Sequence, residues 1–391
     1  MSNVREAVFT HFKNHFQAQD VIKPRVDNLQ FRWLSIAESV YLTCPFNEEE
    51  VKVAVWDCDS FKSPRLDGVH LGFIKDFWSD LKSDILRFVS EFHRNGRLSK
   101  GINSTFITLI PKVDNPQRLN DFRPIALVGR LYKILAKVLA NRLRKVMSTV
   151  ISDSQSAFVK DRQILDGILI ANEVVDEAVN IKPLEKISLS PVKKDFLLFK
   201  VDFEKAYDSM DWGYLDSIMG RMSFPTMWRK WMNECVCTVT TSILVNGCPT
   251  DEFDLRRGLR QGDPLSPFLF LIAAEGLNVM MSEAVNHNLF TGYSVGAQNA
   301  TVISHLQFAD DTLLLGIKSW ANVRALRAVL TLFEAMSGLK VNFHKSMLVG
   351  VNVEESRLGK AASVLSCKIV KIPFIIGGDA RRLSFWDPVI D

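Results

Sequence analysis

Three aspartates stand where packing alone does not explain them. Asp202 closes an apolar run that begins at Phe196, and Asp310-Asp311 lies between two flanks that read as strands, Gln307-Phe308-Ala309 and Leu313-Leu314-Leu315. A single Asp at a strand end is ordinarily a turn former. Two adjacent carboxylates in a buried hairpin are different, because they repel one another and destabilise it unless cations compensate them. A pair of divalent metals would do so. Two hard cations roughly 4 Å apart, held by carboxylates and by substrate phosphates, are the usual apparatus for in-line attack at phosphorus.

The elements that must position these residues follow from periodicity. Residues 196–203 read as a short buried strand, and 304–317 as two strands meeting at Asp310-Asp311. Residues 105–112 alternate and run into a turn. Residues 238–246 are rich in β-branched side chains and close at Asn246-Gly247, which predicts a hairpin. Helical spacing marks 130–150, 164–180, 211–222, 267–285 and 321–336, the last ending at Gly338. A polar stretch at 181–194 reads as a loop. Towards the start, a helix opens at Asn47 ahead of three glutamates, 73–95 continues in helical period, and residues 1 to about 47 read as a weakly helical spacer. Strands and helices mix without the regular alternation of a parallel sheet, so the fold class is α+β.

Composition narrows the function classes. The chain has 391 residues, 47% of them apolar and 24% charged, with 26 Phe and 8 Trp, which excludes disorder and predicts two or three lobes sharing one interior. Its net charge is only +4, yet residues 101–150 hold nine Lys or Arg against two Asp. On the helix 130–150 that charge is either a nucleic-acid face or a solvated amphipathic face. None of the six cysteines has zinc-ligand spacing. The first residues carry no secretory signal, and no apolar run approaches the roughly 20 residues of a membrane span, so a soluble intracellular protein is expected.

Phe308-Ala309-Asp310-Asp311 resembles the aromatic-x-Asp-Asp box of reverse transcriptases. Further boxes stand in the order that family requires. They are Leu109-Ile110-Pro111-Lys112 with Asp121-Phe122-Arg123-Pro124-Ile125, and Val201-Asp202-Phe203-Glu204-Lys205-Ala206-Tyr207-Asp208. Arg260-Gln261-Gly262-Asp263-Pro264-Leu265-Ser266-Pro267 and Gly338-Leu339-Lys340-Val341-Asn342-Phe343-His344-Lys345-Ser346 complete the set. With Ser156-Ala157-Phe158-Val159 and the segment from Gly167 to Glu173, the wording is similar to plant LINE-type (non-LTR) retrotransposons, over about residues 62–391.

The resemblance implies a right-hand polymerase fold, a palm whose antiparallel sheet packs on helices plus a fingers subdomain, and RNA-directed DNA synthesis. It implies two magnesium ions, with manganese as the alternative. Asp202 and Asp310 would hold both ions, Asp311 would complete the cluster, and the Phe203 carbonyl would be a further ligand. Tyr207 matches the family's sugar gate against ribonucleotides. Lys112 and Arg123 match the grip on the incoming triphosphate, Gln261 and Gly262 the loop over nucleotide and template, and Lys345 a proton donor to pyrophosphate. Arg130, Lys133, Lys137, Arg142, Arg144 and Lys145 would line the template path. RNA template, DNA primer and deoxynucleotides are the implied partners, and the nucleus the implied compartment.

Departures from the family pattern set further expectations. Residues 1–60 are expected to be spacer and 61–105 a helical extension of the fingers. Residues 106–350 would be fingers and palm, and 351–391 a truncated start of the thumb. Nothing before Lys62 resembles the family's endonuclease. Lys62-Ser63-Pro64-Arg65-Leu66-Asp67-Gly68 lacks a Gly-Pro turn, and a primer-supporting hairpin is missing between Pro373-Phe374 and Gly377-Gly378. Impaired synthesis is expected, with an inactive nucleic-acid-binding remnant as the alternative.

Overall fold

A computed structural model describes residues 2–18, 23–24, 28–60, 70–179, 195–296 and 300–371. The loop at 181–194, the element at 62–68 and the segment from 372 onward therefore lie outside the described residues. The chain divides into two compact units. One comprises Met1–Ile22, Phe31–Val150 and Tyr207–Ala273, the other Lys23–Gln30, Ile151–Ala206 and Ala274–Asp391. The body expected at 106–350 is thus shared between both.

The second unit is built on a five-stranded sheet in the order Lys368–Ile369, Met347–Val351, Phe196–Val201, Asp311–Ile317, His305–Phe308. Phe196–Val201 is central and antiparallel to both neighbours, and its near-continuous apolar run suits a strand covered on both faces. One face packs on the helix Ile164–Val179. Ala171 and Ala178 let that helix approach closely, while Val174 and Val175 fill against Phe196, Leu198, Leu313 and Leu315. The helix Trp320–Ser337 starts where the Ser319 side chain accepts the Asn322 N–H. It ends at Gly338 in the left-handed conformation, φ +77°.

In the first unit the sheet runs Phe122–Val128, Ser104–Pro111, Thr240–Val245, Cys248–Pro249, with Phe253–Asp254 also paired to Thr240–Val245. The first pair is antiparallel and the second parallel. Asn246 and Gly247 both have positive φ, 51° and 78°, as a two-residue hairpin turn requires. The helix Arg130–Val150 keeps the boundaries its spacing predicts. It buries Ile134, Leu135, Val138, Leu139 and Val146, and packs against the helix Glu48–Trp56, whose first turn is capped by the Asn47 side chain.

Three expectations are corrected here. The first 60 residues are not a spacer: the helix Ser2–His15 buries Val8 and Phe12, and with Phe16 they join Ile107, Val239, Ile243, Phe253 and Leu255 in one apolar cluster. Residues 73–95 form two helices, Leu71–Asp76 and Trp78–Asn95, separated at Phe77. One helix, Ser266–Asn286, is in fact long and apolar enough to cross a membrane by length and composition. Most of it is buried inside the protein, as the core helix of a folded domain is. The N-terminal helix should accordingly carry stability. Phe12→Ala is expected to lower the unfolding free energy by about 3 kcal/mol, read as a fall in urea midpoint, where a spacer would show no change.

Candidate active site

The second unit brings the three aspartates to one end of its sheet. Val201 pairs with Thr312, so Asp202 and Asp311, one residue further on each strand, continue the same antiparallel register. Asp311 also pairs with Phe308, which leaves Ala309 and Asp310 as the two-residue hairpin turn. Asp310 is exposed, whereas Asp202 and Asp311 are half-buried. Lys200, the one charge in its strand, places Nζ 3.3 Å from Asp311 Oδ1 and offsets part of the local negative charge.

The backbone around Asp202 is held by the segment after Gly338. The Asp202 carbonyl accepts the Asn342 N–H at 2.7 Å, and the Asp202 N–H donates to Ser346 Oγ at 3.0 Å. Ser346 is buried and itself donates to the Asn342 carbonyl. Phe203 bridges Val341 in antiparallel fashion. The bonds of that bridge come from the flanking residues, Asp202 with Asn342 and Glu204 with Lys340, so the Phe203 carbonyl is not consumed by it. Lys345 is exposed beside this clamp, and its N–H donates to the Asn342 carbonyl.

The first unit carries the other sequence-predicted residues. Arg123 pairs with Ile110 across the hairpin, and the Lys112 N–H donates to the Asp121 carbonyl, so Lys112 and Arg123 lie at one end of the ribbon, both exposed. There the Arg118 and Gln117 N–H groups bond to the Asp121 carboxylate and hold its pKa below the usual carboxylate value. Tyr207 is half-buried and stacks on Phe270 at 4.8 Å, and its carbonyl accepts the Leu259 N–H. Gln261 Nε2 donates to Asp208 Oδ1 at 3.0 Å, while His15 Nε2 lies 3.3 Å from the other oxygen of Asp208. Gly258 must be glycine, since φ is +87° and a Cβ would lie 2.5 Å from the Asp208 carbonyl oxygen. Gly262 has φ +98° and would press a Cβ to 3.0 Å from the Ala126 oxygen, beside the hydrogen bond from the Ala126 N–H to the Gln261 carbonyl.

Beneath this loop is a buried polar knot. Arg260 is 2.6 Å from Asp263, bonds Asn103 Oδ1 at 2.7 Å and lies over the Tyr132 ring, whose hydroxyl also reaches Asp263 at 2.7 Å. Burial pushes the Tyr132 phenol well above its ordinary pKa, so it remains a neutral donor. Arg260 therefore anchors the loop that presents Gln261 and Gly262.

Residues 110–361, more than half of the chain, match the family model described as reverse transcriptase (RNA-dependent DNA polymerase). The chain belongs to the reverse transcriptase family. Over 348 residues it is 25% identical to the Transposon TX1 uncharacterized 149 kDa protein of Xenopus laevis, covering 88% of this chain and 25% of that protein. It is 26% identical over 245 residues to the Retrovirus-related Pol polyprotein from type-1 retrotransposable element R2 of Popillia japonica, covering 62% and 32% respectively. A 77-residue stretch is 42% identical to an uncharacterized mitochondrial protein of Arabidopsis thaliana, covering 20% of this chain and 62% of that one. The chain thus spans a quarter to a third of the length of the TX1 and R2 relatives.

For a reverse transcriptase the donor set suits a hard divalent cation such as magnesium. Carboxylates from two strand ends and a backbone carbonyl are hard oxygen ligands, which that ion prefers. Among the described residues no three His, Cys, Asp or Glu side chains already converge as a cage.

The basic helix does not act as one face. Arg142 is corrected from nucleic-acid contact to structural anchor. It is 1% exposed, bonds both oxygens of Glu50 at 2.6 and 2.8 Å, donates to the carbonyls of Leu42, Cys44 and Pro45, and stacks over Phe46. Arg130 is also buried, and Lys137 lies 3.6 Å from Asp57. Lys133 is half-buried, and only Arg144 and Lys145 of the six are exposed. Sequence reasoning missed Lys200, Asn342, Ser346, Asp208 and His15 as partners of the site, though a lone lysine in an apolar strand was a visible signal. Arg142→Ala should remove five hydrogen bonds and strand Glu50, lowering stability by about 3 kcal/mol in urea unfolding, whereas the exposed Arg144→Ala should leave the midpoint almost unchanged.

Proposed function

We propose that this chain is the polymerase core of a plant LINE-type (non-LTR) retrotransposon and copies RNA into DNA from a primer 3′-hydroxyl. The observation that carries this reading is the sheet end of the second unit, where Asp202 and Asp311 continue one register and Asp310 stands in the adjoining turn, in a chain of the reverse transcriptase family. Family membership and the TX1 and R2 relatives support the element class, and the Arabidopsis relative supports the plant source. The second unit is read as palm and the strands 104–128 of the first as fingers.

In this reading Asp202, Asp310, Asp311 and the Phe203 carbonyl hold two magnesium ions, with manganese as a substitute. The ions supply charge neutralisation at the triphosphate and a more acidic primer hydroxyl. Lys112 and Arg123 bind the phosphates of the incoming deoxynucleotide, the guanidinium taking two oxygens at once. Tyr207, its ring steadied by Phe270, excludes a 2′-hydroxyl. Gln261 is oriented by Asp208, and Gly262 allows close backbone approach, so the loop reads the nascent pair. Lys345 is the candidate donor of a proton to departing pyrophosphate. Arg144 and Lys145, with Lys133 and Lys137 beside them, are the candidate contacts to template phosphates, which fix position and carry little sequence preference. The nucleus, where the primer would be chromosomal DNA, is the proposed compartment.

Primer extension on an RNA template with magnesium and deoxynucleotides tests the reading. Incorporation is expected, and it should fall to background in the variant carrying Asp310→Asn and Asp311→Asn. A folded wild type that binds RNA yet incorporates nothing would contradict polymerase function and leave a nucleic-acid-binding remnant as the better account.

A further inference from the structure

Asp310 and Asp311 follow a residue in an unfavourable backbone conformation. Ala309 has φ +53°, the left-handed region in which an L side chain crowds its own carbonyl. The group that holds it there lies more than 150 residues earlier in the sequence. Gln155, 1% exposed, accepts the Ala309 N–H on Oε1 at 2.9 Å and donates from Nε2 to the Ala309 carbonyl at 3.3 Å. A single planar amide therefore grips the peptide groups on both sides of Ala309, the second of which is the link to Asp310. Oε1 also accepts the Ala157 N–H at 3.0 Å, which fixes the amide's orientation.

The glutamine has a built seat. Residues 154–156 run as a parallel bridge along Gln307, with Gln307 N–H donating to the Ser154 carbonyl at 2.7 Å and Ser156 N–H to the Gln307 carbonyl at 3.0 Å. The Arg162 guanidinium gathers the carbonyls of Gln155, Ser152 and Ile151. Buried Glu275 accepts both the N–H and the hydroxyl of Ser152, and Ser154 Oγ donates to Asn278 and contacts His305. Burial pushes His305 down to about 4, so it adds no charge to this seat near neutrality. These buried hydrogen bonds converge on residues 151–156 and give the seat of Gln155 a single geometry that an apolar packing would not specify.

We infer that Gln155 is the positioning residue of the Asp310-Asp311 turn: its side-chain amide holds Ala309 left-handed so that two like-charged carboxylates keep one arrangement ready for metal. The metal half of this inference rests on the polymerase reading; the hydrogen-bonded clamp does not. Partners that orient metal ligands typically change affinity 10–100-fold when lost.

The test compares wild type with Gln155→Leu, which keeps much of the bulk and removes the amide, and with Gln155→Asn, which keeps the amide and cannot reach. Three quantities are read on the full chain: hydrogen exchange in the hairpin 305–317, manganese affinity by electron paramagnetic resonance, and the magnesium concentration that half-saturates primer extension. Both variants should exchange the hairpin amides faster by at least about tenfold and bind manganese roughly tenfold more weakly. The half-saturating magnesium should rise in proportion, with a smaller change in rate at saturating metal. If Gln155→Leu fails to fold, Gln155→Asn carries the comparison. Wild-type exchange and wild-type manganese affinity in the folded variants would overturn the inference. A wild type without incorporation would instead count against the polymerase reading, and exchange would still decide the clamp.

Discussion

The antiparallel register between Phe196–Val201 and Asp311–Ile317 is the constraint on which the candidate site depends. It runs without interruption from Phe196 opposite Ile317 to Val201 opposite Thr312. A strand has period two, so a slip by one residue would put Phe196 and Leu198 on the opposite face of the sheet from Leu313 and Leu315 and move the carboxylates out of line in the same step. Burial of those four side chains against the helix Ile164–Val179 thus fixes the position of the acids. The apolar core and the charged end of the sheet are parts of one structure, and the hydrophobic gain on one side holds together groups that repel on the other.

Three separate segments then stabilise what that register brings together. Ser346 and Asn342 hold the Asp202 backbone, Lys200 offsets Asp311, and Gln155 grips the hairpin turn. In the other unit the Arg260, Asp263, Tyr132 and Asn103 knot does the same for the loop of Gln261 and Gly262. The common device is a buried polar side chain that satisfies backbone or loop groups. Such networks specify one geometry where apolar contacts would tolerate several.

Local features were legible in the sequence. The helix Arg130–Val150, the Asn246-Gly247 hairpin and the left-handed stop at Gly338 each depend on residues within a few positions of one another, and each stands as its spacing predicts. What escaped was long-range. The N-terminal helix is weakly patterned by itself, and only Ile107, Val239, Ile243, Phe253 and Leu255, at least 90 residues away, explain why Phe12 is buried. Arg142 sits at a position where a basic residue suits a solvated helix face; its burial follows from Glu50 and the carbonyls of 42–45. The three aspartates were readable because their chemistry is unusual for their surroundings. Gln155 was not, since an amide in a polar loop has no such signature.

Iron-directed backbone cleavage is the most direct measure of whether Asp202, Asp310 and Asp311 share a metal. Ferrous iron replaces magnesium, ascorbate and peroxide generate hydroxyl radical at the bound ion, and mass spectrometry locates the cuts. Cleavage at 202–203 and 310–311 together, suppressed by excess magnesium and lost in Asp202→Asn, is the predicted result. Cleavage at only one of the two strand ends, or at sites that Asp202→Asn leaves unchanged, would contradict a shared metal site.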